Sequence, residues 1–320
     1  MAVYTEVSDE ELQAFIGEYA IGTVLACKGI AEGIENSNYL LTTAQGNFIL
    51  TLYERRVRRE DLPYFLGLMS HLSAKGVACP VPVEGRDGHA LRELCGRPAA
   101  IVSFLAGMWP RRPTAQQCHA LGAAMARMHL AGADFPMRRA NDLSLDGWRT
   151  LHRATQGSAD RVQPGLAARI DGALAELTEA WPRSLPSGVI HADLFPDNVF
   201  FLEDRLSGFI DFYFACNDFL AYDMAVALNA WCFERTGEFN VTASRQMIAG
   251  YQSVRRLEPA ERTALPALCR GAALRFLLTR LYDWLNTPEG ALVRRKDPLE
   301  YLARLNFHAR VADASGYGFD

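Results

Sequence analysis

The stretch Val189-Ile190-His191-Ala192-Asp193-Leu194-Phe195-Pro196-Asp197-Asn198-Val199-Phe200-Phe201 decides how this chain is read. Two short apolar runs of strand character flank a polar loop that carries His191, Asp193 and Asn198. A His-x-Asp-x-x-x-x-Asn loop sets a carboxylate able to accept a hydroxyl proton beside an amide oxygen able to bind a metal ion. That chemistry calls for a second hard-oxygen ligand. After the turn at Glu203-Asp204-Arg205, the apolar run Gly208-Phe209-Ile210 ends at Asp211. The set is expected to transfer the γ-phosphoryl group of ATP, with Asn198 and Asp211 holding Mg2+. Asp193 then orients the acceptor hydroxyl and takes its proton, while His191 braces the loop.

Two other readings compete. An ordinary turn explains the His-x-Asp pair or Pro196-Asp197-Asn198 singly, but not the whole set with Asp211 on the next hairpin. A hydrolase metal cluster of His191, Asp193 and Asp211 lacks a further histidine nearby to complete its shell.

With 320 residues, the chain has room for one large domain or two lobes around a sizeable core. There are 33 basic against 37 acidic residues, a net charge of −4, and the lysines are Lys28, Lys75 and Lys296. Arginine pairs are scattered rather than gathered into a groove, so no nucleic-acid partner is expected. Seven dispersed cysteines without a Cys-x-x-Cys pair argue against a disulfide framework or zinc site and suit reduced cytosolic thiols. No leader-like N-terminus is evident, and no apolar stretch approaches the ~18 residues of a membrane span. A cytoplasmic protein without membrane contact is the expectation; nothing in the sequence sets an oligomeric state.

Ser8-Asp9-Glu10-Glu11 has the capping-box pattern, and Leu12, Phe15, Ile16 and Tyr19 recur at helical spacing, with Gly22 expected to end the helix. Residues 23–27, 38–43 and 48–53 read as successive antiparallel strands, 62–74 as a helix, and 99–104 as the last of two further strands. Beyond Trp109-Pro110, helical patterns dominate, opening at Thr114-Ala115-Gln116-Gln117 and continuing around residues 167–181, 223–233 and 263–286. The expected fold class is α+β, a bilobal protein-kinase-like arrangement of a small antiparallel sheet lobe and a larger mainly helical lobe. The division expected is 1–104, nucleotide-binding, and 105–320, catalytic and substrate-binding, with a hinge near Ser103 to Met108 and ligand in the cleft.

The loop from Gly29 to Tyr39 lies between the first two strands, where backbone amides can approach phosphates. Lys28, Gly29, Gly33, Asn36, Ser37 and Asn38 are its candidate nucleotide contacts, although two glycines in such a loop also fit plain turn chemistry. Protein kinases place a phosphate-holding lysine on the third strand. Here that strand reads Ile49-Leu50-Thr51-Leu52, so the cation is absent or comes from elsewhere, such as Lys28 or an arginine after Tyr53. Glu60 is the candidate helix carboxylate, and equally a solvated residue at a helix start.

Taken together, the segments 28–39, 49–54, Met125-Ala126-Arg127-Met128-His129, 191–198, Ile210-Asp211-Phe212 and 275–284 resemble the aminoglycoside phosphotransferase superfamily, and within it the bacterial homoserine kinases. The resemblance runs nearly end to end. It implies ATP-dependent phosphorylation of L-homoserine, a step toward threonine, with Asp193 as base and Asn198 and Asp211 on magnesium. The absence of the third-strand lysine is a feature this subgroup shares.

Homoserine needs partners for an ammonium and a carboxylate, and residues 139–142, Asp218, Tyr222-Asp223 and 275–283 are candidates. Asp223 reads more simply as a helix N-terminal residue, Trp231 and Trp284 as core, and His129 as a structural histidine. Another hydroxyl acceptor (an aminoglycoside, choline or methylthioribose) would want an acidic lobe or an aromatic cage, and neither bias is evident. A nucleotide-binding scaffold without turnover has only the missing lysine in its favour.

Overall fold

The computed structural model describes residues 5–30, 36–54, 57–287 and 295–319. Helix α1 (Asp9–Ile16) starts where Ser8 and Glu11 close the capping box, and it buries Leu12, Phe15 and Ile16. It ends at Gly17; Gly22, with φ of +80°, instead turns the chain into the first strand.

Strands β1 (Val24–Gly29), β2 (Asn36–Thr43), β3 (Gly46–Tyr53), β4 (Leu91–Leu94) and β5 (Arg97–Ser103) form one antiparallel sheet in the order β1-β2-β3-β5-β4. The period of two sorts its side chains onto two faces. Tyr39, Leu41, Leu50, Leu52 and Ile101 pack with α1 in one core. Tyr53, Ala100 and Val102 join α2 (Leu62–Ala74) in a second, larger core that continues into the helices. Asn38 pairs with Thr51 across β2 and β3, so by alternation both belong to that second face.

The remaining helices are α3 (Ala115–Ala131), α4 (Leu145–Ala159), α5 (Leu166–Ala180), α6 (Leu220–Trp231), α7 (Val241–Gln252), α8 (Pro259–Asn286) and α9 (Leu299–His308). Two glycines let α3 and α7 touch backbone to backbone. A Cβ at Gly122 would lie 2.0 Å from the Met247 carbonyl, and one at Gly250 2.0 Å from that of His119. This crossing brings the rings of His129 and Tyr251 to 5.6 Å.

Set among the helices are two small ribbons: β6 (Ser187–Ile190) pairs with β9 (Cys216–Phe219), and β7 (Val199–Leu202) with β8 (Arg205–Phe209). Loop 191–198 therefore leaves one ribbon and enters the other, and Asp211 lies on the return connection. The chain between sheet and helices is tied to the second ribbon by reciprocal Met108 and Phe201 backbone bonds of 2.9 Å. Among the described residues, no helix is long and apolar enough to cross a membrane.

Candidate active site

Loop 191–198 is held by hydrogen bonds at almost every step. The Asn198 Nδ2 donates to both the Asp193 carbonyl (2.8 Å) and its carboxylate Oδ2 (3.0 Å), which leaves the amide oxygen as the atom Asn198 can offer a cation. The Phe195 N–H donates to the Asp193 carbonyl at 2.8 Å, and the Ile210 N–H to that of Asn198 at 3.0 Å, so the approach to Asp211 is keyed to the loop. The Trp231 indole N–H reaches the Leu194 carbonyl at 2.8 Å.

His191 is fully buried and has both ring nitrogens engaged. Its Nδ1 accepts from the Asp193 N–H at 3.3 Å and its Nε2 donates to the Ile210 carbonyl at 2.9 Å. Burial depresses its pKa, keeping the ring neutral, as this donor and acceptor pattern requires. A histidine used this way is not a metal ligand, and the hydrolase cluster loses its nitrogen.

Below the loop sits a group that sequence reasoning placed at a helix start. Asp223 is entirely buried and accepts from the His191 N–H (2.9 Å), the Ala192 N–H (2.8 Å) and His129 Nε2 (3.0 Å). Burial works to raise this carboxyl, but the hydrogen bond and charge of His129 and the two amides outweigh it and hold it below the usual carboxylate range. His129 Nδ1 is in turn bonded to the Tyr251 hydroxyl at 2.8 Å. Ala192 is left-handed, with φ of +61°. That conformation costs an L-residue roughly 1–2 kcal/mol. Its N–H goes to the Asp223 carboxylate and its carbonyl to the buried Arg275 guanidinium, each charge-assisted bond contributing ~1.5–3 kcal/mol, so the strain is outweighed. Asp211 is also left-handed, with φ of +62°.

On the sheet side, the place of the missing lysine holds a hydroxyl network. Thr51 is buried and donates to Asn38 Oδ1 at 2.8 Å. The Tyr53 and Tyr213 hydroxyls lie 3.1 Å apart, with ring centroids at 5.2 Å. Tyr213 follows Asp211 by two residues; burial pushes its phenol up to about 12, with Asp211 charge raising it and bonds from Tyr53 and Thr51 lowering it. Third strand and the segment after Asp211 thus meet through neutral hydroxyls.

The APH phosphotransferase enzyme family matches residues 26–257. The curated homoserine kinase of Paramagnetospirillum magneticum is 63% identical over all of both chains, and that of Xanthobacter autotrophicus 63% identical over 99% of each. The chain belongs to the homoserine kinases of the APH phosphotransferase family. Among solved structures, an amicoumacin kinase in complex with AMP-PNP and Ca2+ shares the fold at a TM-score of 0.72 and 16% identity, over 95% of this chain and 94% of that one. A choline kinase from Cryptosporidium parvum does so at 0.68 and 15%, over 95% of both.

Within this family fold, the structure gathers Asp193, His191, Asn198 and the Asp211 connection and spreads the sheet-side candidates apart. Asn38 faces Thr51. Asn36 Oδ1 accepts from the Glu54 N–H at 3.4 Å. Ser37 is turned to the other face: it is fully buried, donates to Glu54 (2.7 Å) and accepts from the Thr5 N–H (3.1 Å), a contact that a strand starting at Asn36 imposes and a longer loop would not. Lys28 and Gly29 end β1 and are exposed, and Gly33 lies outside the described residues. Arg55 and Arg56, the arginines that follow Tyr53, also lie outside them. Glu60 is exposed; its neighbour Asp61 holds Arg139 at 2.9 Å. Trp231 is core, whereas Trp284 is half-buried, with the Arg295 guanidinium 5.3 Å over its ring.

The residues missed were Asp223, as the anchor of the loop, and Arg275, as its second clamp. The sequence carried one signal for Asp223, a carboxylate in the first turn of a helix whose only other strongly polar residue is Asn229.

Proposed function

We propose that this chain transfers the γ-phosphoryl group of ATP to the side-chain hydroxyl of L-homoserine, giving ADP and O-phospho-L-homoserine. The carrying observation is the fixed Asp193–Asn198 pair within a chain 63% identical, end to end, to a curated homoserine kinase. Asp193 accepts the hydroxyl proton as the acceptor oxygen bonds to the γ-phosphorus and the bond to the ADP oxygen breaks. Asn198 fixes one carboxylate oxygen of Asp193, so the base is oriented before substrate arrives.

The Asp211 carboxylate and the Asn198 amide oxygen are hard donors that suit Mg2+, which takes few protein ligands and completes its shell with phosphate and water. Among the described residues, no trio of His, Cys, Asp or Glu forms an all-protein metal cage, consistent with a site shared with nucleotide. When bound, Mg2+ supplies charge neutralisation on the phosphate oxygens. Asp223, His129 and Arg275 keep the loop in its strained shape, and the hydroxyls of Thr51, Tyr53 and Tyr213 support the sheet side.

The test is ADP release with ATP and Mg2+ across L-homoserine, L-threonine, L-serine, choline, methylthioribose and an aminoglycoside. Turnover confined to L-homoserine is expected. Preference for another acceptor would overturn the substrate while leaving the catalytic loop in place.

A further inference from the structure

On the helical side of Asp193 lies a compact aromatic and cationic cluster that the phosphoryl-transfer chemistry does not use. Phe195, two residues past Asp193, packs its ring 4.8 Å from that of Phe276 on α8 and 6.5 Å from that of Tyr301 on α9. Phe276 and Tyr301 are 5.3 Å apart, so the three rings form one floor beside the base. Tyr301 is fully buried, and its hydroxyl has no hydrogen-bond partner among the described residues. A buried phenol left so is destabilising, and a bound polar group would relieve it. Burial raises the Tyr301 phenol against the lowering charges of Arg304 and Arg280, so this hydroxyl is a neutral donor.

The rim of the floor is basic. Arg280 and Arg304 each place a guanidinium 4.4 Å from the Tyr301 ring centroid, and Lys296 lies 5.5 Å from that of Phe195. Two carboxylates face these three cations: Glu300 pairs with Arg280 and Arg304, and Asp197 lies 3.9 Å from Lys296. Arg304 is committed elsewhere, since it also donates to the Asn229 carbonyl. Arg280 bonds Glu300 (2.6 Å) and the Asp297 carbonyl (3.1 Å) through Nη1, and among the described residues its Nε and Nη2 have no hydrogen-bond partner, the pair of donors that a planar anion would take.

Of the polar groups of L-homoserine, the hydroxyl belongs at Asp193 and the carboxylate requires a cation. We propose that Arg280, with Lys296 beside it, receives the acceptor's α-carboxylate over the Phe195, Phe276 and Tyr301 floor, making this rim the determinant that separates an amino acid from a plain amino alcohol. The inference rests on the acceptor reading above.

The test compares kcat/KM for L-homoserine and for 3-aminopropan-1-ol, which keeps the ammonium and the hydroxyl but lacks the carboxylate, in the unaltered protein, Arg280→Met and Lys296→Met. A site built around a charged group rejects the analogue that lacks it, so the unaltered enzyme should favour L-homoserine by ~10³ or more. Arg280→Met should lower that ratio about 100-fold and Lys296→Met about tenfold, both mainly through the KM for L-homoserine. A merely structural Arg280 would depress both acceptors together, and an unchanged ratio in both variants overturns the assignment. Lys296→Met keeps the question answerable should Arg280→Met fold poorly, because Lys296 is exposed. Absence of L-homoserine turnover in the unaltered protein would instead overturn the acceptor reading itself.

Discussion

The catalytic loop and the sheet that faces it are built on opposite principles. In the loop, ionised and strained groups are fixed by partners: Asp223 and Arg275 clamp Ala192 from two sides, and Asn198 grips Asp193. On the sheet, the position where protein kinases keep a lysine holds Thr51, bonded to Asn38 and close to the Tyr53 and Tyr213 hydroxyls. Among the described residues, charged groups hold the loop and neutral hydroxyls meet it from the third strand. On the proposed reading, electrostatic work falls to the loop and positioning to the sheet.

The contrast can be broken most forcefully at Asp211. Asp211→Ala should lower kcat by ~10³ or more and raise the Mg2+ concentration needed for half-maximal rate; a metal requirement that stays put would remove it from the metal site. Asp223→Asn should come next. It leaves His129 and two backbone amides facing a neutral side chain, and should cost ~3 kcal/mol of stability and about 100-fold in kcat. Denaturant unfolding together with kinetics checks this, and an unchanged kcat would mean that the loop holds itself.

Acid should attack the helical side first. His191 is depressed by burial, and His308, bonded to Tyr317 at 2.9 Å and to Asn229 at 3.1 Å, is depressed to about 3. With folded pKa values below the unfolded ~6.5, both groups contribute stability that is complete above that pH and lost as pH falls toward the folded values, by up to ~1.4 kcal/mol per pH unit each. Unfolding midpoints recorded between pH 8 and 4 should be flat at first and then fall, and His308→Gln should soften the decline. The smallest effect belongs to the sheet. Thr51→Val should raise the KM for ATP only about threefold and leave kcat nearly unchanged, a loss typical of one neutral hydrogen bond. A collapse in kcat would show that the hydroxyl network carries part of the chemistry.

How much of this was legible in sequence follows from the range of the interactions involved. Loop 191–198 and Asp211 could be read because their spacing is local and their residue types are chemically constrained. The first two strands and helix 62–74 could be read from period and, for the helix, from the glycine that follows it, and the α2 bounds agree to the residue. The clamp on Ala192 could not: Asp223 and Arg275 stand 31 and 83 residues away and meet the loop only through tertiary packing. The close approach of α3 and α7, which brings Tyr251 to His129, depends on two glycines that look unremarkable in a helical pattern. Ser37 lies on the opposite face from Asn36 and Asn38 because a strand beginning at Asn36 alternates its side chains, which a loop would not. Trp284 has helical spacing but lies near the end of α8, where the core has already been covered.

The most direct test of the division of labour is a paired measurement on Asp193→Asn: single-turnover transfer from ATP to L-homoserine, and the equilibrium Kd for ATP with Mg2+. The account predicts transfer slowed by ~10³ or more with the Kd within about threefold of the unaltered enzyme, since a general base acts on the hydroxyl rather than on nucleotide binding. Transfer at an undiminished rate would contradict it.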